Sequence, residues 1–364
     1  YLTGLIIAAV YHFSRSLQKN WGWHLLAASF FTACAVMTKG IFILVPIGGA
    51  LAGHLIISRN WKQLFHWKWI VVLLLFAVFI SPELYCLWKQ FDSHPEKTVF
   101  GGQQVSGIKF FLWDSQFGRF FNTGPISGKG DKFFFLHTLL WAFLPWSLIL
   151  YAALFTRIKS VIRKVKSEFN EWFTLSGSLL ALLLFSFSGF QLPHYANIIF
   201  PMLAILSAHF IWQLVQKGEK IFRIIQTILA ILMIILVAGL FFFYRPEINY
   251  VFITAAILIL TLFIFLPRFI KNDLSWLSYF RSGIAVLVVG LFMNLSFYPD
   301  LLKYQAGNQL ASFLNKNYPD QQLGRISMYF PSGEFYMQQH VWQTDLFPIT
   351  NKTFNKAKLL YVTE

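Results

Sequence analysis

Apolar residues run through this sequence in long blocks broken by short polar stretches. The blocks cover residues 1–14, 23–37, 41–57, 69–88, 133–156, 172–187, 193–215, 222–243, 248–266 and 283–298. Most approach the roughly 17–25 residues that carry a helix across a hydrocarbon core of about 30 Å. The pattern predicts ten membrane-spanning helices. After residue 299 it changes. Leu301, Leu302, Ala306, Leu310 and Phe313 fall at helical spacing, which predicts an amphipathic helix over 300–316. Strand-like runs follow at 324–330, 334–341 and 357–363, the first two parted by Pro331-Ser332-Gly333. The expected fold is an all-α polytopic bundle over 1–298, with an outer interfacial loop at 89–132. A small α/β unit over 299–364 completes it.

Charge orients the bundle. Arg15 and Lys19 lie in the first loop, and Arg59, Lys62 and Lys68 in the third. Arg157, Lys159, Arg163, Lys164 and Lys166 lie in the fifth, Lys217, Lys220 and Arg223 in the seventh, and Arg268, Lys271 and Arg281 in the ninth. Every odd loop is basic, so the odd loops face the cytoplasm. The turns at 38–40, 188–192 and 244–249, the 89–132 segment and the tail from 299 then face outward. The expected location is a bacterial inner membrane, with the C-terminal unit in the periplasm.

Composition supports this reading. Of 364 residues 57% are hydrophobic, 19% aromatic and only 12% charged, about half the charge of an ordinary soluble domain. The formal net charge of +15 would suggest nucleic acid in a soluble protein. Here the loops account for it, and nucleic acid is set aside. Cys34 and Cys86 fall in or beside different apolar blocks without metal-type partners. The chain starts with Tyr1 inside an apolar run, with no charged leader. A missing N-terminal part is therefore expected.

In a membrane chain, polar groups at span ends and in long outer loops carry the information. Met37-Thr38-Lys39-Gly40 is a tight turn between two blocks. Its Lys suits an anion beside free backbone N–H groups, and equally a snorkel to the interface. The 89–132 loop holds Asp92, His94, Glu96, Asp114, Gln116, Arg119, Lys129, Asp131 and Lys132. Its middle, Phe110 to Phe121, alternates aromatic and polar groups as an interfacial helix does. Arg119 there has the geometry to clamp a phosphate. In Ser188-Gly-Phe-Gln-Leu-Pro-His-Tyr195, Pro193 fits a helix start. His194 and Tyr195 then sit at an N-terminal end that favours anions, or form an aromatic belt pair. Ser81-Pro82-Glu83 places a kink and a costly acid near a span end, with Lys89 as a candidate partner for Glu83. His12, His24, His54, His66, His137 and His209 are scattered singly. Asn294-Leu-Ser and Asn351-Lys-Thr fit a glycan acceptor pattern that is common by chance. There is no His-Glu-x-x-His, Cys-x-x-Cys, Gly-rich phosphate loop or Gly-x-Ser-x-Gly.

Met37-Thr38-Lys39-Gly40, Gly118-Arg119-Phe120, Leu144-Pro145-Trp146-Ser147 and Leu192-Pro193-His194-Tyr195 come in one order. In that order the chain resembles the aminoarabinose transferase and protein O-mannosyltransferase group, glycosyltransferase family 39 and its bacterial relatives, of the GT-C class. The resemblance covers about residues 1–300. It implies a membrane glycosyltransferase that takes a sugar from a polyprenyl-phosphate donor at the outer face. The acceptor is a lipid such as lipid A, a glycan or a protein hydroxyl, and attack at the anomeric carbon inverts it. It also implies a catalytic Asp in a first outer loop that this sequence does not contain, so the catalytic residue is unassigned. Lys39 and Arg119 would bind the donor phosphate, and His194 and Tyr195 would hold it or the sugar, with Asp114 and Gln116 beside them. No cofactor is implied, and a divalent metal stays open. The rival readings are a lipid-linked sugar flippase or transporter, a surface-polysaccharide polymerase or ligase, and a membrane scaffold. Transporters carry internal repeats and midplane polar groups in broken helices, neither of which is seen here.

Overall fold

A computed structural model describes residues 1–18, 21–99, 102–123, 128–164, 171–247, 250–270, 273–320, 323–326, 331–339, 341–344 and 359–361. Contacts divide the chain into two compact units, Tyr1–Gln226 and Thr227–Glu364.

The first unit is helical. Its helices are α1 (Leu2–Arg15), α2 (Trp21–Lys39), α3 (Leu44–Ile57), α4 (Trp61–Leu64), α5 (Lys68–Leu87) and α6 (Gly107–Lys109), followed by α7 (Ser115–Phe121), α8 (Phe134–Ala142), α9 (Ser147–Ile162), α10 (Phe173–Ser186) and α11 (Phe200–Gln216). A 3-10 turn, Ile41–Ile43, leads into α3, and a longer one, Pro193–Ile199, leads into α11. Helices occur at the apolar blocks of this unit, with one correction. The block read as one span over 133–156 is two helices, α8 and α9, parted by a turn at 143–146 that holds Pro145. Proline lacks the N–H that would carry a helix through, and it pushes the preceding residue out of helical space. Pro82, expected to kink its span, sits inside α5 without ending it.

Small residues decide how the helices pack. α3 lies against α10 so closely that a Cβ on Gly53 would stand 2.2 Å from the Ser176 Cβ. One on Gly177 would stand 2.8 Å from the Pro46 carbonyl oxygen. Gly49 and Gly53 have the spacing that lets membrane helices meet backbone to backbone. Around this contact Ile6, Ala9, Ala28, Ile47, Ala50, Leu175, Ala181 and Met202 form a continuous buried core.

The first and third basic loops touch at one end of this unit, and the fifth joins them there through the Trp172 N–H, which donates to His54 Nδ1 at 3.3 Å. Lys68, 2% exposed, donates to the Ser16 carbonyl at 3.1 Å and to Gln63 Oε1 at 2.7 Å. Arg157 lies over the Trp172 ring at 4.0 Å and donates to the Glu171 carbonyl. α2 runs from this end to Lys39, about 28 Å away at 1.5 Å per residue. The even-loop residues gather there.

In the second unit are α12 (Lys220–Tyr244, which begins in the first unit), α13 (Tyr250–Phe269) and α14 (Leu274–Phe292). α14 runs through a π-helical turn, Met293–Phe297, into α15 (Tyr298–Leu302). The span read as 283–298 therefore starts earlier. Asp273 caps α14 by accepting from the Ser275 and Trp276 N–H groups at 2.9 and 3.2 Å. The polar first turns of α14, Arg281 among them, conceal this start from a reading by hydropathy.

The amphipathic helix read over 300–316 is broken at 303–305, and α16 (Ala306–Asn317) begins afresh. Its buried face is Gly307, Ala311 and Leu314. Leu301, Leu302 and Phe313, expected inside, are exposed. Lys303 holds the break, pairing with Glu247 at 3.0 Å and Asp300 at 2.9 Å. Beyond α16 come β1 (Leu323–Ile326), α17 (Pro331–Tyr336), β2 (Val341–Thr344) and β3 (Leu359–Tyr361). The strands form a parallel sheet in the order β2-β1-β3, with Leu323 opposite Val341 and Leu359. The strand expected at 334–341 is thus corrected: a helix starts at Pro331, which suits a first helical position, and the strand follows it. Residues 327–330, 357–358 and 362–363 of the expected strands lie outside the described residues, as do Lys19, Lys166, Lys271 and the Asn351 acceptor pattern.

Among the described residues five helices are long and apolar enough to span a membrane: Trp61–Asp92, Pro193–Gln216, Lys220–Tyr244, Tyr250–Phe269 and Leu274–Leu302. Ile41–Ile57 and Phe173–Ser186 are shorter and apolar.

Candidate functional site

Three segments far apart in sequence meet at the even-loop end of the first unit. The first is the end of α2. Lys39 closes the helix, and Gly40 turns the chain with φ 95°. The turn read over Met37–Gly40 is thus corrected: Lys39 is still helical and sits at a helix C-terminus, where the dipole favours a cation. Gly40 is buried, and a Cβ there would stand 2.4 Å from the Gln116 side-chain nitrogen. Both the positive φ and the close approach require glycine.

The second segment is the interfacial stretch. Asp92 anchors its start by accepting from the Ser106 hydroxyl at 2.5 Å and the Gly107 N–H at 2.9 Å. α6 continues through a π-helical turn, Phe110–Asp114, into α7, which carries Gln116 and Arg119. α7 stops at Asn122, whose φ of 57° is left-handed. The Asn122 side chain both accepts from the Gly128 N–H at 3.1 Å and donates to its carbonyl at 2.7 Å.

The third segment is the 188–195 turn. It is bound to the second through backbone. Gly189 N–H donates to the Phe120 carbonyl at 2.8 Å, and Asp131 N–H donates to Gln191 Oε1 at 2.8 Å. Phe42, just past Gly40, sits edge-on to Phe117 and Phe120 at 4.9 and 5.8 Å. Aromatic packing and backbone hydrogen bonds thus fix the three segments together.

Between them is a cavity of about 260 Å³. Lys39, Gln116, Arg119, His194 and Tyr195 all line it. The Lys39 ammonium lies 4.7 Å from the centre of the Tyr195 ring, a cation–π distance. Arg119 is close enough to both for its charge to act on them. Phe42, Ile43, Phe120, Leu184 and Phe185 supply apolar wall around them. Two cations, a phenol and an imidazole thus line one cavity, a set of donors that can bind an anion.

Asp114 is not in the wall. It faces Lys109 at 3.9 Å. Lying two residues before Gln116, it is about 200° around the helix from it. Glu83 does not pair with Lys89 among the described residues. Ser115 and Asn197 also line the cavity, and the sequence reading missed both. Asn197 had a signal: in a 3-10 turn residues three apart eclipse, so it stands above His194. Among the described residues no group of three His, Cys, Asp or Glu side chains is placed to hold a metal.

No family profile matches the chain. It is 28% identical over 194 residues to the undecaprenyl phosphate-alpha-4-amino-4-deoxy-L-arabinose arabinosyl transferase of Edwardsiella ictaluri, over 53% of this chain and 32% of that protein. It is 25% identical over 239 residues to arabinosyl transferase 2 of the same description from Sodalis glossinidius, over 64% of this chain and 40% of that protein. The chain thus spans between a third and two-fifths of these relatives' length. Among solved structures it superposes on ArnT from Cupriavidus metallidurans bound to undecaprenyl phosphate, with a TM-score of 0.66 and 16% identity, over 95% of this chain and 62% of that one. The apo form of the same protein gives a TM-score of 0.64 over 94% and 61%. The chain therefore has the GT-C helix-bundle fold of the ArnT structures, and in sequence it resembles the aminoarabinose transferases.

Proposed function

We propose that this chain belongs to a membrane glycosyltransferase that moves a sugar from a polyprenyl-phosphate donor to an acceptor, a lipid such as lipid A, a glycan or a protein hydroxyl. One observation carries the reading: Lys39, Arg119, His194 and Tyr195, from three distant segments, line one cavity. The resemblance of the chain to transferases named for undecaprenyl-phosphate aminoarabinose supports it.

The chemistry follows from the charges. The acceptor oxygen bonds to the anomeric carbon as the bond from that carbon to the phosphate oxygen breaks. The electron pair leaves with the polyprenyl phosphate. Lys39 and Arg119 bind the phosphate and stabilise the charge it gains, an effect strongest in a site that excludes water. Tyr195 and His194 donate to its remaining oxygens, and Gln116 orients the sugar or the phosphate. No carboxylate lines the cavity among the described residues, so another group takes the acceptor proton. The site lies at the end away from the basic loops, which in an inner membrane is the periplasmic face. The alternation of basic loops along the sequence supports a periplasmic tail after α15.

The test is turnover of the natural protein in liposomes with a labelled polyprenyl-phosphate sugar. Lys39→Ala and Arg119→Ala should each lower turnover at least tenfold, about 1.4 kcal/mol of transition-state stabilisation. Unchanged turnover at normal expression removes them from the site. Movement of the donor across the bilayer without transfer would instead identify a flippase.

A further inference from the structure

The second unit contains a larger cleft that the transfer reaction does not use. It has a volume of about 600 Å³ and lies between α12, α13 and α14. Ile231, Ile235, Phe252, Ile259, Ile284 and Val288 make its walls apolar. One charged side chain lines it, Arg281.

Arg281 is an expensive residue to keep there. It lies seven positions into α14, about 10 Å from the helix start. Thr227 lies seven positions into α12, and Phe263 six positions before the end of α13. All three therefore mark one level, near the end of the cleft that adjoins the basic ninth loop. The Arg281 guanidinium sits 4.9 Å over the Phe263 ring, and its Nε is buried without a hydrogen-bond partner. No acid of this unit reaches it among the described residues. Asp273 caps α14, while Glu247 and Asp300 hold Lys303. An arginine in a membrane segment normally pairs or faces water. This one faces an apolar cleft open to lipid.

We propose that the cleft binds an anionic phospholipid of the leaflet on the basic-loop side, with an acyl chain along the apolar wall and its phosphate on Arg281. The cleft supplies the two halves such a lipid needs. Its size is that of a ligand site, and about 15 Å of α14 separates Arg281 from Leu291 at its far end. The guanidinium matches a phosphate diester in a two-pronged geometry. Basic pockets between helices on the cytoplasmic side are general binding places for anionic headgroups. The site lies in a different unit from the transfer cavity, and the inference does not rest on the transferase reading.

The experiment is native mass spectrometry of the natural protein, delipidated and then exposed in turn to phosphatidylglycerol, phosphatidylcholine, a polyprenyl phosphate and inorganic phosphate. Wild type should retain phosphatidylglycerol in preference to the other three. Arg281→Gln should lower its retention about tenfold. Ala256→Phe, which fills the cleft and leaves the cation in place, should do the same, and it carries the test should Arg281→Gln not fold. Equal retention by wild type and both variants overturns the proposal. So does equal retention of phosphatidylcholine, or an Arg281-dependent preference for polyprenyl phosphate or inorganic phosphate.

Discussion

Gly40 shows how single residues set this site. Its φ of 95° with ψ near 180° belongs to a region almost confined to glycine, and its missing Cβ leaves room for Gln116. Gly40→Ala should cost about 1–3 kcal/mol, read as a lower thermal midpoint, and should lower turnover. Adding Gln116→Ala should restore only part of the loss, because it removes the clash and leaves the strained backbone. Gly4→Ala, with nothing near its added carbon, is the matched control and should change neither. The five predicted residues that line the cavity were legible in the sequence because each was a polar group beside a turn or in the interfacial stretch of an apolar chain. Asp114 met the same criterion and lies outside. What separates it from Gln116 is the helical phase, which a loop reading does not supply. Asn197 was missed for a related reason: its link to His194 appears only when the turn is 3-10.

At the scale of elements, the interfacial stretch is held at both ends. Asp92 fixes its start through Ser106 and Gly107, and Asn122 its end through Gly128. Asp92→Ala frees the Gly107 and Ile108 N–H groups, so their amide exchange should rise several-fold while the exchange of α3 and α10 stays unchanged. Exchange rising equally in all of them would mean that the stretch is not a separate unit of stability. Gly189→Ala acts at the other end, where its Cβ would meet the Asn122 amide at 2.5 Å. It should expose residues 107–132 to protease added outside. The span positions were legible because hydropathy records burial in lipid. The break at Pro145 was not, since one proline scarcely alters a window average, nor was the early start of α14, since its polar first turns lower that average. The Gly49-Ala-Leu-Ala-Gly53 spacing was on the page and predicts the close α3–α10 contact that the fold shows.

For the whole molecule, loop charge and packing agree on orientation. The first, third and fifth loops share one end of the first unit, joined by the Lys68–Ser16 and Trp172–His54 hydrogen bonds, and the cavity occupies the other. With Cys34 and Cys86 replaced by serine, a cysteine at Lys129 should react with an impermeant thiol reagent added to intact cells. One at Lys159 should react only after permeabilisation. The reverse pattern would invert the topology and place the cavity inside the cell. The cavity itself has a further consequence. Under the proposed reaction, Lys39 and Arg119 hold a phosphate that transfer alters only by leaving it more negative, so the spent carrier would fit at least as well as the loaded one. Such an enzyme is throttled by its own by-product. Its pace in the membrane then follows how fast the bare lipid phosphate is recycled, and added polyprenyl phosphate should compete with the donor.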